Sequence, residues 1–185
     1  MAKAPTSYIA TAGAARTRTI DTLSFPLATR PQAMTMYYRF IDMDSPAVPL
    51  YKYLAVLGSD ASGAVGAAGF SLYVTTGGAT YSAAHANGSG TVRRATVTRT
   101  VTVGSLVELV ATLTAAGVVQ LSVSVNGGTV ATGTATAALV LPPAWGQSTL
   151  AIGNVAQATN GLRDLIVVRG VHSLAAMRVR MGLTP

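Results

Sequence analysis

The sequence predicts an all-β, antiparallel β-sandwich or barrel with one short C-terminal helix, and three observations predict it. Apolar residues recur with a period of two through most of the chain, as strands with one buried face require. Turn signals built on Gly and Asn separate these runs at short intervals. A single segment, residues 173–181, breaks the alternation and shows helical spacing instead.

The elements follow in order. Residues 1–30 read as an extended N-terminal arm and first strand, and 31–185 as the sandwich domain, because the opening stretch is polar, small-residued and basic. Residues 35–41, TMYYRFI, alternate with Met36, Tyr38 and Phe40 on one face. Leu54–Leu57 is a short apolar run. Gly69–Val74 is a strand closed by Thr75-Thr76-Gly77-Gly78, with 79–84 as its hairpin partner. The stretch 85–90, with His85, reads as a loop. Residues 94–103 alternate Thr with Val or Arg, as a strand with one wet face does. Residues 106–114 and 118–125 are strong strands joined by the tight turn Ala115-Ala116-Gly117. Asn126-Gly127-Gly128 leads into 129–135, and 150–153 and 162–169 are further strands. In the final segment Leu174, Met177 and Met181 share a helix face, Ser173 is an N-cap and Gly182 a stop. The apolar face is expected on the sandwich, with Arg178 and Arg180 pointing away from it.

Composition narrows the classes. Half of the 185 residues are hydrophobic and only 10% are charged, well under the ~25% of an average soluble protein, so much of the surface must be Thr, Ser, Gly and Ala. The net charge of +7 comes from thirteen basic and six acidic residues, and it suits an acidic partner. With no cysteine, disulfides, thiolate metal sites and thiol catalysis are excluded. The opening MAKAPTSYIA lacks the apolar core of a secretory signal, so none is expected, and no apolar run approaches a membrane span.

The block VELVATLTAAGVVQLSVSVNGGTVATG at 107–133, LAIGN at 150–154 and GLRDLIVVRGVHSLAAM at 161–177 together resemble the successive strands and closing helix of laminin G-like, concanavalin A-like jelly rolls. The likeness covers roughly residues 33–181. The opening TSYIATAGAARTRTIDTLSFP at 6–26 is similar to a segment of tailed-bacteriophage virion proteins that carry such jelly rolls, with Ala10 where that segment has Pro. The resemblance implies a jelly roll and a place in a virion.

Chemistry is sparse. Jelly-roll glycosidases need two carboxylates roughly 5–9 Å apart. Glu108 is the one acid inside the strong strands 106–114 and 118–125, and no acid stands two or four residues from it. Asp42 and Asp44 lie at a strand end before Ser45-Pro46, where turn chemistry explains them. Calcium, which laminin G-like domains often hold, needs six to eight oxygens; Asp42, Asp44 and Asp60 supply few, so no cofactor is expected and Ca2+ is poorly supported. His85 and His172 have no partner at ligand spacing, and His172 is expected to pack beside the helix start. No nucleophile elbow or phosphate loop is present. Arg93, Arg94 and Arg99 permit phosphate contacts, but no aromatic is interleaved among them, so nucleic acid is not expected as a ligand. Trp145, Tyr37, Tyr51 and Tyr53 are candidate glycan or interface aromatics; Tyr37 has the parity to face outward, and Trp145 reads as a plug over the sandwich end.

These readings converge on a non-enzymatic virion protein. The first expectation is a capsid decoration, or cement, protein on the outside of the head, with the major capsid protein and copies of itself, in a homo-oligomer such as a trimer, as partners. Tyr8, Ile9, Arg16, Arg18, Arg178 and Arg180 would meet the capsid or a neighbour. The alternative is a carbohydrate-binding, host-receptor-recognition module of a phage fibre or tail. A secreted or periplasmic adhesion domain is a third class, and no membrane is expected to be a partner.

Overall fold

A computed structural model of the chain describes residues 33–42, 52–58, 68–75, 80–143, 150–152 and 161–184. Ten strands and one helix occur in them. The strands are β1 (Met34–Ile41), β2 (Lys52–Gly58), β3 (Ala68–Val74), β4 (Thr80–Asn87), β5 (Val92–Thr98), β6 (Leu106–Leu113), β7 (Val119–Val125), β8 (Ala131–Thr134), β9 (Leu150–Ile152) and β10 (Gly161–Arg169). The helix is α1 (Leu174–Arg180). All strand pairs are antiparallel. They build sheet A in the order β10-β1-β6-β7-β8 and sheet B in the order β5-β4-β3-β2-β9. The architecture is the all-β sandwich with one short C-terminal helix that the alternation predicts.

The period-two residues meet between the sheets. From sheet A, Met36, Tyr38, Phe40, Leu109, Leu113 and Leu121 are buried against Leu54, Leu57, Phe70, Leu72, Ala83 and Val97 of sheet B. Tyr38 and Phe40, two apart on one strand, pack edge to face with centroids 5.5 Å apart. Strand β6 is buried from Val107 to Leu113, because sheet B covers one face and α1 the other. Its sequence therefore reads as a nearly continuous apolar run.

Two turns carry the sheet A hairpins. Asn126 and Gly127 both take positive φ, at 51° and 71°, which suits the right-handed twist of the flanking strands. Gly117 takes φ +78° in the β6–β7 turn, and a Cβ there would overlap the Leu139 carbonyl. Its own carbonyl accepts from Leu139 N at 3.1 Å, which draws the 136–141 stretch over the turn. At the far edge Gly133 lets β8 come against the backbone of Thr96 on β5, so the two sheets close together there.

Some boundaries differ from the sequence expectation. Strand β4 runs on to Asn87, so His85 is not a loop residue; it pairs with Phe70 and Arg93 across both neighbouring strands. Small residues in Ala83–Ala86 hide the alternation that would have extended the strand. Strand β5 stops at Thr98, because the chain then turns through Gly104, at φ +89°, and ties to the end of β1 by Asp42 N to Ser105 O at 2.9 Å.

Gly117→Ala must both clash and hold a left-handed conformation, whereas Gly127→Ala meets open space and only the conformational cost, about 1–2 kcal/mol. Denaturant titration is therefore expected to show the larger loss for Gly117→Ala; equal losses would mean the Leu139 contact is absent in solution.

Candidate functional site

The outer face of sheet A carries the one dense polar cluster among the described residues, and it begins with a carboxylate in an apolar strand. Glu108 lies on β6 between Val107 and Leu109 and is 4% exposed. Register places it opposite Arg39 on β1 and Ser124 on β7. An ionised carboxylate there is tolerable only if it is paired and its lone pairs are filled.

Helix α1 supplies the partner. Arg178 donates from Nε to both Glu108 oxygens at 3.2 Å, and from Nη2 to Oε2 at 2.5 Å and to Ser124 Oγ at 3.0 Å. The Tyr37 hydroxyl, from β1, donates to Glu108 Oε1 at 2.8 Å. The Ser124 hydroxyl in turn donates to the Gly128 carbonyl at 2.9 Å. Apolar groups surround the cluster: Tyr37, Val110, Leu174 and Met177 are buried together, with Ile166, Val168 and Met181 packed against them.

Local sequence explains why the helix sits here. Ser173 Oγ accepts from Ala176 N at 3.2 Å and starts it. Gly182 and Leu183 donate back to the Val179 and Arg178 carbonyls, both at 2.9 Å, and end it in a Schellman pattern. The lead-in is pinned by Thr35, whose hydroxyl donates to Gly170 O at 2.8 Å and accepts from His172 N at 2.9 Å. His172 Nε2 lies 2.9 Å from the Arg169 carbonyl, so it packs beside the helix start as expected.

The electrostatics make Glu108 a fixed anion. Burial pushes its carboxyl up, but the hydrogen bonds from Arg178 and Tyr37 outweigh it and hold the group below the usual carboxylate range. Burial, together with the bond to Glu108, pushes the Tyr37 phenol well above its ordinary range. A general acid needs the opposite environment, a carboxyl raised toward neutrality. The nearby Asp164 is held by its own arginine, Arg39 Nε, at 2.5 Å. The arrangement thus docks a helix and does not present a pair of carboxylates to a substrate. No group of three or more His, Asp or Glu side chains that could hold a metal occurs among the described residues. No helix there is long and apolar enough to cross a membrane.

The structure corrects several expectations. Arg178 does not point away from the sandwich. It stands one residue from Met177 and four from Leu174, on the buried stripe, while Arg180 is exposed as expected. Tyr37 does have outward parity, but α1 covers it and leaves it 0% exposed, so it is no platform for a sugar. His85 is fully buried, with Nδ1 3.2 Å from the Gly69 carbonyl, and burial pushes its pKa down. The three β5-region arginines are not one stripe: Arg94 is exposed on the outer face of sheet B, Arg93 has the opposite parity, and Arg99 donates to Thr129 O at 2.6 Å. Tyr53 lies on β2. Tyr8, Ile9, Arg16, Arg18, Tyr51 and Trp145, with Asp44 and Asp60, lie outside the described residues.

No protein-family model matches the chain, and no curated protein matches it. Solved structures match its fold. The CBM40 of the Ruminococcus gnavus IT-sialidase, bound to α2,3 sialyllactose, aligns with a TM-score of 0.54 at 15% identity, over 87% of this chain and 93% of that one. The binding domain of botulinum neurotoxin serotype C1 aligns with a TM-score of 0.58 at 8% identity, over 83% of this chain and 37% of that one. The binding domain of botulinum neurotoxin DC, in complex with SialylT, aligns with a TM-score of 0.56 at 8% identity, over 82% of this chain and 35% of that one. At these identities the shared property is the fold, a jelly-roll-like β-sandwich.

Removing one partner of the buried pair strands the other. Arg178→Met is expected to cost about 3–5 kcal/mol in denaturant unfolding, and Glu108→Gln with Arg178→Met to recover part of that loss. Because the folded pKa of Glu108 is depressed, its stabilisation is full above the ordinary value of 4.5 and is lost as pH falls through the lower folded value. Acid titration should therefore show wild type losing stability below about pH 4.5 more steeply than the double variant. Parallel acid profiles would contradict the assignment.

Proposed function

We propose that this chain is a non-catalytic carbohydrate-binding module with a preference for acidic glycans. The observation that carries the reading is its fold likeness, over most of its length, to a CBM40 seen with sialyllactose and to neurotoxin binding domains, one in complex with SialylT. The site geometry is consistent with it, since the buried carboxylate on sheet A is committed to Arg178 and the other sheet A acid to Arg39.

With α1 over the outer face of sheet A, the ligand surface is assigned to the outer face of sheet B at β5. Arg94, Thr96 and Thr98 are exposed there on one parity. A guanidinium beside hydroxyls is suited to a sugar carboxylate and its neighbouring hydroxyl groups. Lattice-like display of many copies would raise the avidity of weak single sites.

The TSYIATAGAARTR segment supports a second element of the reading, that the module is carried on a virion, where the cement role is the competing use of the same fold. Co-sedimentation with stripped capsids tests it. Saturable attachment together with a silent glycan array would replace glycan recognition with decoration.

On an array of neutral and sialylated glycans, binding to sialylated members is expected without their hydrolysis. Arg94→Ala should weaken that binding about 10- to 100-fold, the worth of a charge-assisted hydrogen bond. Binding that ignores Arg94 would move the site elsewhere, and release of free sugar would overturn the non-catalytic reading.

A further inference from the structure

Four arginines are half-buried among the described residues, and three of them have an acceptor. Arg39 is paired with Asp164, Arg178 with Glu108, and Arg99 with the Thr129 carbonyl. Arg93 is the fourth. Among the described residues no hydrogen bond or ion pair holds its guanidinium, and its Nε is buried without an acceptor. A charged donor in that state is costly, and native folds meet such groups with an ordered water, an ion or a ligand.

The position of Arg93 explains why the described chain supplies no acceptor. It stands opposite His85 in the β4–β5 ladder, on the parity of Ala95 and Val97. Both side chains therefore face the gap between the sheets, with their Cβ atoms about 5 Å apart. Thr96 lies against Gly133 and Arg99 donates to Thr129, so β8 runs antiparallel to β5 across that gap. The same spacing brings Arg93 level with residue 136, just past Ala135, and residues 136–138 are exposed. Ala135 N donates to Val119 O, and Val119 shares its row with Leu113 and Met34. Arg93 thus stands at the mouth of the sandwich, at the Met34 end. The described acids lie toward the other end. Asp42 follows β1, and Glu108 and Asp164 are both in register with Arg39.

The charge balance selects a carboxylate. A guanidinium offers a planar fork that a carboxylate meets with two parallel bonds, and one such pair balances one charge. A phosphate dianion would ask for a second cation. His85 does not supply it, since burial pushes its pKa down, and Arg94 points to the opposite face of sheet B. We propose that Arg93 is a carboxylate-binding position at this end of the sandwich, open to a small organic acid or to the acid group of a sugar. It is separate from the Arg94 surface and does not depend on the glycan reading.

Acetate titration of the full chain tests it, followed by the Arg93 Nε–H signal in NMR. Acetate should move that signal saturably, and chloride at equal ionic strength should not. Arg93→Met should weaken acetate binding by about 10-fold or more, and Arg163→Gln, which removes an exposed arginine, should leave it unchanged. Without ligand, Arg93→Met should unfold at or above the wild-type midpoint, because no bond within the protein is lost. Competition by N-acetylneuraminate, with none by N-acetylglucosamine, would identify a sugar acid as the source; acetate binding without competition would identify a simple acid. A signal that follows ionic strength with any salt overturns the proposal. So does a loss of stability in Arg93→Met as large as that of Arg178→Met, since the guanidinium would then have an acceptor in the protein.

Discussion

A single carboxylate placed in the middle of a buried strand sets the terms for half of this molecule. Glu108 lies on β6, which is buried on both faces, and such an ion must be met by a cation on the same face. The chain meets it with Arg178 from the last helix, reinforced by Tyr37 from the first described strand and Ser124 from β7. A helix of seven residues has no independent stability. Its position therefore depends on this pair and on the apolar stripe of Leu174 and Met177. The pair in turn joins β1, β6, β7 and α1 at one point, so the outer face of sheet A has one arrangement and not several.

That arrangement closes the outer face of sheet A, and on the outer face of sheet B Ser71, Tyr73, Ser82 and Ala84 are buried as well, so exposure there lies along β5. Sheet A is sealed by a helix whose charged group is turned inward, and the arginine left outside is Arg180. Sheet B keeps Arg94 and two threonines outward along β5. The low charge content of the sequence is consistent with a surface that makes contact through hydroxyl groups and a few guanidiniums. On the reading proposed, the recognition chemistry is therefore spatially separate from the polar cluster that holds the fold together, and changes at one need not disturb the other.

Much of the fold was legible because period-two alternation survives in sequence wherever one strand face is buried. Met36, Tyr38 and Phe40, the Asn126-Gly127 turn and the Ser173–Gly182 helix limits are all where local rules place them. The polar cluster was not legible as such, because the hydrogen bonds of Glu108 and Arg178 join residues 54 to 71 positions apart in the chain. One signal did exist: Glu108 interrupts a strand too apolar to leave it unpaired, and Arg178 falls on the same stripe as Leu174 and Met177. Parity alone misassigned Tyr37, because it gives the face of a sheet and not what lies over that face. His85 was missed because alanines on both sides erase the contrast on which alternation depends.

The place of β1 has a bearing on how the chain is made. It is the first described strand in sequence, yet it is hydrogen-bonded between β6 and β10, which come much later. During synthesis it must wait for β6 before one side is satisfied and for β10, some 120 residues on, before the other is. Meanwhile β2–β5 can pair with one another as successive hairpins. Sheet A is therefore expected to be completed late, when β10 and α1 close over β1. A chain cut before residue 161 would keep its hairpins and the β1–β6 pairing while leaving the other edge of β1 without its partner β10.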